Sequence, residues 1–239
     1  MDTKKVCDEL IRWLSQKVKD AGARGLVFGL SGGIDSAVVG VLSKKAFPSS
    51  SLGLIMPCYS NEQDKQDAIK VAKKFDINYK IVPLDSVYDE YLRILPNEGE
   101  NLKLAKANIK PRLRMITLYY FANTFNYLVV GTGNRSELEI GYFTKYGDGG
   151  VDLLPLGNFV KTQVRELALY LGIPDEIITK PPSAGLWEGQ TDESEMGITY
   201  EELDKYLLTK EGRPEVIEKI EAMRKKSAHK RKLPEIFKI

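Results

Sequence analysis

Eight consecutive residues, Gly29-Leu30-Ser31-Gly32-Gly33-Ile34-Asp35-Ser36, concentrate the groups best suited to handling phosphate. Adjacent glycines let a backbone take positive φ and approach a ligand closely, and the N–H groups that open a following helix attract phosphate. Ser31 and Ser36 add hydroxyl donors, and Asp35 sets a carboxylate beside the phosphates, where its natural companion is Mg²⁺. The run has no lysine at the place a GxxxxGK[ST] loop requires, and it does not fit GxGxxG. A serine-capped turn between strand and helix is the plainer alternative. Such a turn has no need of two glycines, two serines and an aspartate together.

The elements that must position this loop follow from hydrophobic periodicity. Val6, Leu10, Trp13, Leu14 and Val18 recur at three-to-four spacing and predict a helix over 2–21. A buried strand over 25–30 and a helix over 35–46 flank the loop. Strands are expected at 52–56, 79–83 and 127–131, and helices at 63–75, 86–95, 102–125, 160–171, 200–208 and 214–227. The glycine-rich stretch 143–156 and the Pro/Gly-rich stretch 180–197 read as loops. The last strand is continuously apolar, as in a parallel sheet covered on both faces. The fold class is α/β, a doubly wound and mostly parallel sheet flanked by helices, with further helices at the C-terminal end, all in one domain over 1–239.

With 43% hydrophobic and 28% charged residues in 239, the chain can bury a full core, which excludes disordered and fibrous classes. Apolar runs are too short to cross a bilayer, and no secretory pattern opens the chain. Two cysteines, Cys7 and Cys58, suit a reducing cytoplasm. A net charge of +2 is too balanced to announce a nucleic-acid partner. It is uneven, however: 221–239 holds seven Lys/Arg against two Glu, so the tail carries +5 and the rest −3. A solvated helix end explains that tail, and so does an anionic ligand.

At 29–36 the sequence resembles the ATP pyrophosphatases, whose SGGxDS loop holds the pyrophosphate of ATP, giving the adenine nucleotide alpha hydrolase-like fold as the expectation. The loop does not choose among GMP synthetases, argininosuccinate-type ligases, RNA-modifying enzymes and NAD synthetases. Four further segments do: Asn108-Ile109-Lys110-Pro111-Arg112-Leu113-Arg114-Met115, Gly131-Thr132-Gly133-Asn134-Arg135-Ser136-Glu137, Phe143-Thr144-Lys145-Tyr146-Gly147-Asp148-Gly149-Gly150-Val151-Asp152 and Leu154-Pro155-Leu156. With the loop they resemble the ammonia-dependent NAD synthetase family and span most of the chain.

The resemblance implies a ligase that adenylates the nicotinate carboxylate of deamido-NAD with ATP, releases pyrophosphate, and lets ammonia displace AMP. ATP would be co-substrate, Mg²⁺ the cofactor, and the assembly a homodimer, with no nucleic acid or membrane partner. ATP would be held by Gly29, Leu30, Ser31, Gly32, Gly33, Ile34, Asp35 and Ser36, and by Thr132, Lys161 and Ser183. Deamido-NAD would meet Asn108, Arg112, Lys145, Asp152, His229 and Lys230. Asp35 and Glu137, each just past a strand, would share the metal, and with Lys161 and Asp148 form the catalytic set. Lys161 opens an expected helix, where the dipole gives a lysine no reason to be, so a phosphate partner is the natural explanation. Arg112 shares its expected helix with Lys103, Lys106, Lys110 and Arg114, which alone would read as a solvated basic face.

Departures from the family pattern are Met56-Pro57-Cys58, where an arginine near adenine is common, and Ser183 in place of threonine. The stretch 102–125 mixes Ile116, Leu118, Tyr119, Tyr120 and Phe121 with the basic residues, so it needs a core or a partner copy against it. The stretch 180–197 is expected to be a lid over ATP. Two rivals remain open: an RNA-modifying relative, and a nucleotide-binding module without turnover.

Overall fold

In the first strand, β1 (Gly25–Gly29), successive side chains enter two different cores: Leu26 and Phe28 face one, Val27 the other. The same alternation recurs in β2 (Ser51–Ile55), where Leu52 and Leu54 oppose Ile55, and in β4 (Tyr127–Val130), where Val129 opposes Val130. A strand apolar on both faces must be covered on both, which is what a parallel sheet demands. The computed structural model describes residues 1–237 apart from 184, 186 and 188. Among these residues the strands, with β3 (Tyr79–Ile81), form one parallel sheet in the order β3-β2-β1-β4.

The helices follow in chain order: α1 (Thr3–Asp20), α2 (Ile34–Ala46), α3 (Glu62–Lys74), α4 (Asp85–Ile94), α5 (Leu102–Ala107), α6 (Ile109–Phe125), α7 (Arg135–Ile140), α8 (Lys161–Leu171), α9 (Asp175–Ile178), α10 (Asp192–Met196), α11 (Tyr200–Thr209) and α12 (Pro214–Lys226). Residues of α1, α2, α3, α8 and α9 fill the first core, and α4 and α6 close the second. A third cluster, with Ile140, Met196, Leu203, Leu207, Val216 and Ile220, joins α7, α10, α11 and α12 beyond the sheet. Among the described residues no helix is long and apolar enough to cross a membrane.

Two expectations need correction. The single helix over 102–125 is two, α5 and α6, meeting at Asn108. Pro111 has no N–H to offer the Ala107 carbonyl four residues back, and its ring crowds that carbonyl, so the ladder is broken and restarted. The expected loop 180–197, which contains the undescribed residues 184, 186 and 188, ends in helix α10, opened by a Thr191 cap that accepts from Ser194 N.

The chain leaves β1 toward β2 and β3 on one side, then returns to β4 on the other, so the strand order reverses between β1 and β4. Ligands of open α/β sheets occupy the crevice at the carboxyl ends of the strands at such a reversal. The two connections leaving these ends are 30–33 and 131–134, the segments that carried the sequence motifs.

Candidate active site

Gly32 has φ +83, and a Cβ there would stand 2.2 Å from the Asp64 carbonyl oxygen, so glycine is required on two counts. Inside the turn the buried Ser36 hydroxyl donates to Gly33 O (2.9 Å) and accepts from Ser31 N (3.2 Å). That ties both limbs of the loop together. The first residues of α2 have no side-chain cap, so the loop presents uncapped N–H groups where a phosphate would sit.

Across the crevice, β4 gives way to α7 through a reciprocal cap. Asn134 accepts from Glu137 N (3.1 Å), and Glu137 Oε2 accepts from Asn134 N (3.2 Å). Asn134, fully buried, also donates to Asp35 Oδ1 (2.9 Å), joining the two crevice walls through one amide. The sequence motif contained Asn134, but its role was missed; the N-x-x-E spacing of a capping box was the available signal.

Lys161 is the centre. It is 2% exposed, and its Nζ donates to Asp35 Oδ2 at 2.5 Å and Glu137 Oε1 at 3.2 Å, the two side chains being 15% and 17% exposed. Burial works against the ammonium, but Asp35 and Glu137 outweigh it and hold its pKa above the ordinary lysine value. Burial also pushes Glu137 up to about 7 against the pull of Lys161, with Asp35 and Asp192 adding to the rise. The lysine's place at the start of α8 therefore has an explanation without phosphate: two carboxylates neutralise it. Its backbone is held too, because Lys161 N donates to Ser136 Oγ (3.1 Å) and Thr162 N to Asp204 Oδ2 (2.7 Å). Asp204 and Tyr200, both from α11, escaped sequence reasoning because the partners that tie them to this centre, Ser136, Thr162 and Glu137, lie dozens of residues away. The Tyr200 hydroxyl donates to Asp192 Oδ2 (2.8 Å) and lies 3.3 Å from Glu137 Oε1, with Lys161 Nζ 4.9 Å from its ring centre.

The remaining candidates gather around 143–152. Asp148 Oδ1 accepts from Thr144 N, and the Thr144 hydroxyl donates to Asn108 Oδ1, so this loop is laced to the α5–α6 break. Arg112 is exposed and donates to Lys145 O (3.4 Å). Lys145 Nζ donates to His229 O (2.9 Å), and Lys230 Nζ to Gly141 O and Phe143 O (both 2.8 Å). The basic tail thus clasps the loop, spending Lys230 on carbonyl groups, while His229 stays exposed. Asp152 accepts from Val129 N (2.7 Å) and the Tyr119 hydroxyl (2.9 Å). Thr132 lies half-buried beyond β4, and Ser183 is exposed, its Oγ accepting from Gly185 N.

The basic face read into 103–114 is corrected in part. Lys110 is 6% exposed, within 5.7 Å of the Tyr88 ring and 5.9 Å of the Tyr59 ring. Arg114 is half-buried and donates to Met56 O (3.1 Å) and Ser60 Oγ (3.3 Å). An arginine therefore does stand at the end of β2, contributed by α6 and not by the Met56-Pro57-Cys58 segment. Cys58 and Cys7 are buried, and burial pushes both thiols up, Cys7 to about 11.

A family model described as NAD synthase matches residues 6–234. The NH(3)-dependent NAD(+) synthetase of Carboxydothermus hydrogenoformans is 59% identical over 231 residues, covering 96% of this chain and 95% of the relative. Among solved structures, the NMN synthetase from Francisella tularensis superposes with a TM-score of 0.96 at 40% identity, and the NH3-dependent NAD synthetase from Campylobacter jejuni at 0.83 and 33%; both comparisons cover 100% of either chain. With the family model spanning nearly the whole chain and these relatives matching it from end to end, the chain belongs to the NAD synthase family.

Proposed function

We propose that the protein makes NAD from deamido-NAD, ATP and ammonia, as one catalytic domain working in a homodimer in the cytoplasm. The observation that carries this reading is Lys161 buried between Asp35 and Glu137 beside the uncapped N–H groups of the 29–36 loop. The substrate carboxylate attacks the α-phosphorus of ATP, the bond to the β-phosphate oxygen breaks, and pyrophosphate leaves into the loop. Ammonia then attacks the carbonyl carbon, AMP departs with the electron pair of the C–O bond, and the nitrogen gives up one proton to solvent. Charge accumulates on pyrophosphate in the first step, so aimed N–H groups and cations serve better than a proton-transfer pair. Lys161, Thr132 and Ser183 complete the nucleotide site in this reading. Asn108, Arg112, Lys145, Asp148, Asp152, His229 and Lys230 receive the acceptor, whose two phosphates suit arginine and lysine.

Mg²⁺ fits the donor set: Asp35 and Glu137 are hard oxygen ligands that retain free lone pairs, and the one ammonium between them leaves the pair with net negative charge. Bound there it would neutralise the developing charge on the phosphates. Incubating the protein with Mg-ATP, deamido-NAD and ammonium should give NAD by mass, with AMP and pyrophosphate in equal amounts. ADP and orthophosphate formed in step with NAD would refute the reading.

The likeness to an NMN synthetase favours a second acceptor, nicotinate mononucleotide, which carries the same carboxylate without the adenylate half. Offering the two acceptors in competition and weighing the amides by kcat/KM decides between them.

A further inference from the structure

Asp192 is 4% exposed, and one of its carboxylate oxygens has no partner. Its Oδ2 accepts from the Tyr200 hydroxyl at 2.8 Å, its N–H donates to Pro182 O at 3.0 Å, and Oδ1 is buried without a hydrogen bond. A buried carboxylate oxygen left without a donor is expensive, so a ligand with donors belongs there. The Tyr142 hydroxyl faces Asp192, but it shares its one proton with a second carboxylate. Tyr142 donates to Glu195 Oε2 (2.7 Å), and Gln190 Nε2 donates to the same oxygen at 2.6 Å. What remains around Asp192 among the described residues is largely acceptor capacity, with the carboxylates of Asp35, Glu137 and Asp192 grouped about the Lys161 ammonium.

We infer that the cluster of Asp192, Tyr142 and Tyr200 binds ammonium, the nitrogen donor of the reaction. Ammonium brings four N–H donors, one positive charge and no lone pair, which matches a site made of acceptors and net negative charge. Water supplies no charge and adds two acceptors of its own. Before it attacks the adenylate, ammonium must break one N–H bond, the electron pair staying on nitrogen and the proton passing to the open Asp192 carboxylate oxygen, and the position suits that transfer. On one side Tyr200 reaches Glu137, and on the other Tyr142 immediately precedes the 143–152 loop. The inference rests on the proposed amidation for the role of the ion, but its binding can be read independently.

Two measurements test it. In the absence of other substrates, NH4Cl should raise the melting temperature of the wild-type protein in a saturable way beyond NaCl and KCl at matched ionic strength, and Asp192→Asn should abolish the difference. In turnover, D192N should raise the KM for ammonium by at least about 10-fold, the scale of losing one charge-assisted hydrogen bond, while the KM for ATP stays within about two-fold. If D192N does not fold, Tyr142→Phe takes its place and should raise the ammonium KM alone. An equal melting shift with potassium, no ammonium-specific shift, or parallel rises in both KM values would overturn the site. A wild type that shows the ammonium shift but forms no NAD would leave the site standing and refute the amidation instead.

Discussion

Lys161→Met tests whether the centre is held together by the one buried cation. The substitution keeps most of the side-chain volume and removes the charge, leaving Asp35 and Glu137 facing each other. Because the carboxylates are only 15% and 17% exposed, solvent screens little of the loss. Breaking a buried ion pair by removing one partner costs about 3–5 kcal/mol. Unfolding entropy of ~2.1 cal/mol/K per residue over 239 residues gives ~0.5 kcal/mol/K, so the melting temperature should fall by about 6–10 °C at pH 8. The deficit should shrink at pH 5. Without Lys161 to pull it down, the Glu137 carboxyl sits above its present value of about 7 and takes up a proton, which relieves the repulsion. For the same reason the double variant with Glu137→Gln should recover at least about 1 kcal/mol of the loss at pH 8. Urea and thermal denaturation of the four proteins without nucleotide, at both pH values, supply the readout. A fall below about 2 °C at pH 8, an equal deficit at pH 5, or strict additivity of the two substitutions would refute the argument.

The ligand-free wild type should lose stability as pH rises from about 4.5 to about 7, because folded Glu137 keeps a proton that the unfolded chain has already released; E137Q should flatten that slope in a series of melting curves. On α6, Ile116 and Tyr120 are 60% and 67% exposed while Leu118 and Ala122 are buried, so a partner copy is expected over the outer face. Light scattering at micromolar concentration should give a dimer, and Ile116→Glu with Tyr120→Glu a monomer; a fully active wild-type monomer would exclude the assembly. Glutamine should not replace ammonium, since both thiols are buried with raised pKa and neither is an available nucleophile. Sustained NAD formation from glutamine, lost in Cys58→Ala with ammonia-driven turnover intact, would show otherwise.

Periodicity placed β1, β2, β4 and most long helices correctly because each is apolar on the faces it buries. It failed where a local rule competes with the pattern. Through 102–125 apolar residues recur at helical spacing, yet Pro111 interrupts the hydrogen-bond ladder at Ala107, and the break at Asn108 is where Thr144 docks. The helix thus breaks where it can reach the 143–152 loop. Arg114 shows the same limit from the other side. As a sequence it belongs to a row of basic residues, and only the packing of α6 across the sheet brings it to the Met56 carbonyl.

The centre itself was legible in its parts and not in its balance. Asp35 and Glu137 could be paired because each follows a strand, and strand ends meet at the reversal of a parallel sheet. Lys161 looked like a phosphate ligand because the helix dipole gave it no other reason to open α8. In the structure its counter-ions are already present, and Asp192 and Tyr200 lie behind them. That changes the electrostatic problem the site must solve. Three buried or nearly buried carboxylates against one ammonium leave a negative pocket, and a nucleoside triphosphate is itself a polyanion, so the two repel across a medium that screens poorly. The 29–36 loop offers partial charges only, and the tail that could have supplied cations spends Lys230 on the carbonyls of Gly141 and Phe143. A divalent cation entering with ATP would relieve that repulsion. The free oxygen lone pairs of Asp35 and Glu137 are the groups that would receive it, which is the physical ground for placing Mg²⁺ there and for expecting nucleotide binding to weaken sharply when the metal is withheld.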